Sequence, residues 1–154
     1  MDHEHYIKLA LEQAAKARQI NEVPVGALLV DNTGNVLARG FNQTISMHDP
    51  TAHAEILVLR QTGHYVQNYR LLNTTLYVTI EPCIMCMGAI IHARVERVVF
   101  GARDPKWGGA GSVYNLADHN YLNHSVKIVS GVCEQECREM IQAFFREKRK
   151  SVAR

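Results

Sequence analysis

Apolar residues recur along the chain with two different periods. Over residues 3–19, Tyr6, Leu9 and Ala10, Gln13 and Ala14, and Ala17 return at near-helical spacing, with Lys8, Glu12, Lys16 and Arg18 between them. That pattern predicts an amphipathic packing helix with no chemistry of its own. Asn21-Glu22-Val23-Pro24 breaks it. Val25 to Val30 is a short apolar run, Asn32-Thr33-Gly34-Asn35 a turn, and Val36 to Asn42 a returning strand, which together predict a hairpin. A second helix starts at Asp49-Pro50 or Thr51, packs through Ile56, Leu57 and Leu59, and ends at Gly63. Leu76 to Ile80 reads as a third strand, and Cys83 to about His92 as a third helix, where Gly88 and Ala89 permit close packing. Met85 and Met87 read there as core filler. Arg97 to Gly101 and Val126 to Val129 supply two more strands, and a long helix runs from near Cys133 into the C-terminal tail. This order implies an α/β fold: one mixed five-stranded sheet with helices on both faces. No repeat or linker interrupts it, so residues 1–154 read as one domain with a sizeable core.

Composition changes this picture little. Apolar residues make up 47% of the chain, which argues against disorder except at the ends. The net charge of +2 hides an asymmetry. Residues 146–154 hold Arg146, Lys148, Arg149, Lys150 and Arg154 against Glu147, leaving the rest of the chain acidic on balance. Charge alone fits a phosphate-bearing partner and a solvated end equally well. No apolar run approaches the ~18 residues needed to span a membrane. The chain opens with Asp2 and Glu4 rather than a signal-like segment. Four cysteines are too few for a disulfide scaffold, so a reducing cytoplasm fits best. Cys133 and Cys137 read as buried free thiols rather than an auxiliary metal site.

Candidate chemistry concentrates between His53 and Cys86. The stretch reads His53-Ala54-Glu55, then Pro82-Cys83-Ile84-Met85-Cys86. A neutral imidazole and two thiolates make three ligands for zinc, and an open fourth position marks catalytic rather than structural metal. A helix N-terminus favours the anionic sulfurs of Cys83 and Cys86. Glu55 is the acid that can carry protons beside such a metal, and His-x-Glu with Pro-Cys-x-x-Cys is the pattern of zinc deaminases. A thioredoxin-like pair would not need the upstream His-x-Glu, and a structural zinc site would want a fourth Cys or His nearby. Asn42, at the end of the second strand, reads by composition as a turn residue whose amide can also meet a base edge. The glycine-rich run Asp104-Pro105-Lys106-Trp107-Gly108-Gly109-Ala110-Gly111-Ser112, with Arg103, combines close backbone approach, charge and a stacking surface.

Several blocks carry a resemblance beyond the zinc pattern. They are Glu22-Val23-Pro24-Val25-Gly26-Ala27, Asp49 to Ile56, Asn68-Tyr69-Arg70-Leu71, Leu76 to Cys86, Val98 to Asp104, and Phe144-Phe145-Arg146. From about residue 5 to 150 the chain resembles the bacterial tRNA-specific adenosine deaminases. The resemblance implies a three-layer α/β/α, cytidine-deaminase-like fold, a homodimer, and one zinc per subunit held by His53, Cys83 and Cys86. The implied reaction is hydrolysis of the wobble adenosine in the anticodon loop of a tRNA, typically an arginine tRNA, to inosine. Glu55 would shuttle protons during water attack on C6, with ammonia leaving. By the resemblance Asn42 would hold the flipped base. The other candidate substrate contacts are Ala54, Asp104, Lys106, Phe145, Arg146, Lys148 and Arg149, where the loop and the basic tail offer them and the Asp104 carboxylate could accept from a ribose 2′-hydroxyl. Trp107 and Gly109 depart from the family's usual smaller Thr-like and Ala residues. A small-molecule guanine or cytosine deaminase would share the zinc motif without needing the basic tail. A non-catalytic zinc-bound nucleic-acid module would tolerate loss of Glu55, which is present.

Overall fold

A computed structural model describes residues 1–118 and 122–152. Arg154, counted in the basic tail above, lies outside the described residues. The elements follow the expected order: α1 (His3–Gln19), β1 (Gly26–Asp31), β2 (Val36–Phe41), α2 (Ala54–Val66), β3 (Thr74–Ile80), α3 (Ile84–His92), β4 (Arg97–Ala102), β5 (Lys127–Val129) and α4 (Glu134–Val152). The sheet order is β2-β1-β3-β4-β5. β1 lies antiparallel to both β2 and β3, whereas β3, β4 and β5 run parallel. Parallel neighbours need a crossover, and α3 supplies the one between β3 and β4.

The central strands are apolar nearly throughout because both of their faces are covered. Side chains alternate across the sheet with period two. Leu28, Val30, Tyr77 and Val99 point to one side, where they meet Ile7 and Ala10 of α1 and Cys137 of α4. Ala27, Leu29, Leu76, Val78, Val98 and Phe100 point to the other, against Ala54 and Val58 of α2 and Met87 and Ile90 of α3. Full burial of each large apolar side chain is worth roughly 1.5–3 kcal/mol. α1 comes so close to β1 that a Cβ on Gly26 would collide with the Ala10 carbonyl. A glycine is therefore required at that crossing. Ile7, fully buried, leads the packing face of α1, while Tyr6 and Leu9 are only partly covered.

Where boundaries differ from the sequence reading, local hydrogen bonding explains the shift. α2 begins at Ala54 rather than near Pro50, with His53 as its extended N-cap. Asp49 spends its carboxylate on the Thr51 amide and hydroxyl, at 2.8 and 2.7 Å, closing a turn instead of capping a helix. Gly63 does not end α2. The helix runs one further turn to Val66 and closes on Gln67, left-handed at φ 55°, whose amide bonds the Gly63 carbonyl. Ala54, Val58 and Thr62 are the fully buried residues of that helix. β3 starts two residues early, at Thr74. α4 continues through the basic tail to Val152, so Phe144 and Phe145 sit mid-helix. Cys133 precedes α4 in a left-handed conformation at φ 52° and is half-buried. Cys137 is buried against Gly101, and burial pushes its thiol up to about 12.

Candidate active site

Two helix N-termini converge on one point. His53 is the N-cap of α2 and Cys83 the N-cap of α3; both have extended backbones and neither side chain caps its helix. Their side chains are thus left for another partner. Cys86 lies in the first turn of α3, buried beneath them. The His53 Nδ1 is 3.7 Å from Cys83 Sγ and 3.5 Å from Cys86 Sγ, and the three donor atoms lie within 4.8 Å of one another.

These distances fit zinc. Tetrahedral bonds of about 2.1 Å to nitrogen and 2.3 Å to sulfur place N and S about 3.6 Å apart. The electrostatics fit as well. Cys83 is pulled down to about 4, first by the hydrogen bond from Cys86 and further by His53. Cys86, the donor to that thiolate and buried, is pushed up. His53 is raised by its bond to Cys83. A divalent cation bound there would displace the protons these donors share.

Glu55 follows in the first turn of α2 and is 3% exposed. Burial raises its carboxyl to about 7, offset in part by its own backbone amide. It lines the same cleft as His53 and Cys83, a cavity of about 1190 Å³. Asn42, just past β2, also lines it. The Asn42 Oδ1 accepts from the Ala54 amide at 3.0 Å, which ties the end of β2 to the start of α2. The side chain then offers a ligand its NH₂ group. Its turn role and its cleft role are therefore the same contact.

The cleft brings together most of the expected residues. Asp104, Lys106, Phe145, Arg146 and Arg149 line it alongside the metal-donor cluster. Two of the expected residues stand apart from the cleft lining. Ala54 is fully buried, absent from the cleft wall, and its amide is engaged by Asn42. Lys148 falls one turn beyond Phe144 and stands over that ring, 5.4 Å from its centroid, away from the cleft lining. Met85 is no core filler: it is 36% exposed and lines the cleft, while Met87 is fully buried. Arg138 joins the cleft wall without having been singled out. Its signal was in the sequence, since residues 138, 142, 145 and 149 form one helical stripe.

The N-terminal two thirds of the chain, residues 1–102, match the family model for the cytidine and deoxycytidylate deaminase zinc-binding region. A tRNA-specific adenosine deaminase of Haemophilus influenzae is 49% identical over 146 residues, covering 95% of this chain and 84% of that protein. One of Bacillus subtilis is 48% identical over 147 residues, covering 96% and 91%. The chain belongs to the tRNA-specific adenosine deaminase family. A solved tRNA:A34 deaminase, studied for A-to-I editing at the wobble position, superposes with TM-score 0.85 at 42% identity, covering 88% of this chain and 98% of that one. The fold is accordingly cytidine-deaminase-like, and the His53–Cys83–Cys86 cluster suits the zinc of that family. A guanine deaminase of Nitrosomonas europaea shares the fold, with TM-score 0.78 at 20% identity over 92% of this chain and 83% of that one. Among the described residues, no helix is long and apolar enough to cross a membrane.

In this deaminase two buried carboxylates shape the cleft walls, and the sequence reading missed both as functional. Glu22 is fully buried and accepts from the Ile45 and Ser46 amides at 3.1 and 2.7 Å, which fixes the loop after Asn42. Burial alone would raise its pKa, but those amides outweigh it and hold the carboxyl below its usual value. Glu81, 2% exposed, accepts from the amides of Asp104, Ala110 and Ser112 at 3.1, 3.1 and 3.0 Å and from the Ser112 hydroxyl. It thereby gathers the glycine-rich loop against the start of α3. A Cβ at Gly108 would collide with the Glu81 carboxylate, which is why glycine stands there. Glu81→Gln would turn an NH₂ group toward these donors. Leaving them unsatisfied is expected to cost about 2–3 kcal/mol, read as a thermal midpoint lower by roughly 4–12 °C. An unchanged melt would remove Glu81 from this role.

Proposed function

We propose that this protein hydrolyses the wobble adenosine of a tRNA anticodon loop, that of an arginine tRNA, to inosine. The observation that carries this reading is the buried Glu55 beside a His–Cys–Cys zinc cluster, at the base of a cleft walled by cationic side chains. His53, Cys83 and Cys86 would hold the zinc, which when bound supplies the Lewis acidity that brings water to the hydroxide level near neutral pH. Glu55, with its carboxyl near 7, is matched to proton transfer at neutral pH. It takes a proton from the attacking water, passes it to purine N1, and delivers one to the departing ammonia. The Asn42 NH₂ holds the flipped base, and burial of the site excludes bulk water from Glu55. C6 is unreachable in a stacked duplex, so a single-stranded loop is the fitting substrate.

Outside the pocket, Lys106, Arg138, Arg146 and Arg149 face the cleft and suit the phosphates on either side of the target. A free base would need none of them. Asp104 uses Oδ1 to hold the Lys106 and Trp107 amides at 3.0 and 3.1 Å. Its second oxygen would accept from a ribose hydroxyl, and Asp104→Asn would keep the turn while weakening that acceptor. Met85 of α3 and Tyr69 beyond α2, both exposed, line a second groove that adjoins the cleft through Met85 and suits a second copy in a homodimer.

The test is deamination of an anticodon stem-loop, its deoxy counterpart and free adenosine across a salt series. The stem-loop should be strongly preferred, with affinity falling steeply as salt rises. Truncation after Phe145 removes Arg146 and Arg149 and should weaken binding and flatten that slope, with zinc retained. Asp104→Asn should narrow the preference for RNA over DNA. Free adenosine, guanine or cytosine turned over as well as the stem-loop, with no effect of truncation, would favour the small-molecule reading instead.

A further inference from the structure

The cleft's rim carries an aromatic that the chemistry at its base does not use. Trp107 is 70% exposed, yet it lines the same cavity as Glu55 and the metal cluster. It is not a loosely held loop residue. The Asp104 carboxylate fixes its amide at 3.1 Å. The next residue, Gly108, pairs with Cys83 in an isolated β-bridge, and Gly109 N–H donates to the Pro82 carbonyl at 2.8 Å. Glu81 clamps both ends of the loop. The backbone of Trp107 is therefore set one residue away from the strand-like pairing that also holds a metal ligand. An indole carried on a backbone so anchored, and left 70% exposed, has little packing reason to stand in water.

We propose that Trp107 is a specificity-determining residue, the stacking platform for a nucleobase adjacent to the deaminated adenosine. This rests on the RNA reading above. When the target base is turned into the pocket, its neighbours lose their stacking partners. An aromatic face at the rim replaces one of them, and because every base has a π-face, the contact adds binding without demanding one sequence. Lys106 and Arg103, which also line the cleft, precede the indole in sequence and suit the phosphates next to the stacked base.

The chain has a single tryptophan, so its emission reports this contact alone. The experiment uses the zinc-loaded wild-type protein, Trp107→Ala and Trp107→Phe. The substrates are an anticodon stem-loop and versions abasic at the nucleotide on either side of the target. Trp107→Ala is expected to raise KM about 5- to 150-fold with kcat little changed, as loss of uniform binding does. Trp107→Phe should recover most of it. One abasic substitution should cost the wild type a similar factor and cost Trp107→Ala nothing more. Wild-type emission should be quenched by the intact stem-loop and not by that abasic one. An unchanged KM in Trp107→Ala, or variant and abasic effects that simply multiply, would overturn the stacking role while leaving the RNA reading intact. So would dissociation of a dimer in Trp107→Ala, which would assign the indole to a contact between copies. Failure of the wild type to deaminate any stem-loop would overturn the RNA reading and the stacking role together.

Discussion

Glu55→Ala should keep its zinc, keep its affinity for RNA, and lose turnover by about 10⁴-fold or more. A single general acid–base group contributes about 10²–10⁴-fold. Here one carboxyl serves several proton transfers in sequence, so the loss should sit at or beyond the upper end. No neighbour can take its place. Glu81 lines the same cleft, but its oxygens are already engaged by three amides and a hydroxyl. Asp104 holds the loop amides at the rim. Glu55→Gln separates shape from proton transfer, since it preserves volume and removes the titration; it should be nearly as inactive. Single-turnover inosine formation, measured beside metal content, decides the matter. Turnover within ten-fold of wild type in both variants would take Glu55 out of the chemistry.

The second large effect concerns the metal. The wild-type chain should carry about one zinc, the stoichiometry of a three-ligand site. Cys83→Ala and Cys86→Ala should each lose it, and with it all turnover. Because a metal that binds only the folded state adds to stability by mass action, about 4 kcal/mol at a thousand-fold excess over Kd, chelation should also lower the melting temperature of the wild type. The two cysteine variants should melt lower from the start and ignore the chelator. Cys86 is buried beneath the other two ligands, so its variant also leaves a small void and should be the less stable. Full zinc content in both variants, or a melt indifferent to chelation in the wild type, would contradict the ligand assignment.

Much of this site was legible from spacing alone. His53, Glu55, Cys83 and Cys86 are local motifs, and each lies at a helix start whose position depends on nearby residues. The order of elements was legible for the same reason, because both sheet faces are covered and the strands read as apolar runs. What could not be read was the long-range polar wiring. Glu22 looked like part of a helix break, and Glu81 like the residue before a proline. Their partners lie more than twenty residues away, on loops that have no periodicity to announce them. Asn42 was ambiguous for a related reason. It is a strand-end residue and a cleft residue at once, and only the bond to Ala54 joins the two roles. The shift in the start of α2 came from Asp49, which closes a turn through Thr51. Ala54 entered with its neighbours in the His-x-Glu motif, and Lys148 with the charges of the basic tail. The helix turn that sends Lys148 over Phe144, and the packing that encloses Ala54, set them apart.

The most direct test is nucleoside analysis of tRNA after incubation with the purified zinc-loaded protein, with each inosine mapped to its position. The account predicts inosine at the first anticodon position of an arginine tRNA, formed by the wild type and not by Glu55→Ala. Inosine at other positions alone, or none in any tRNA while a free base is deaminated, would contradict it.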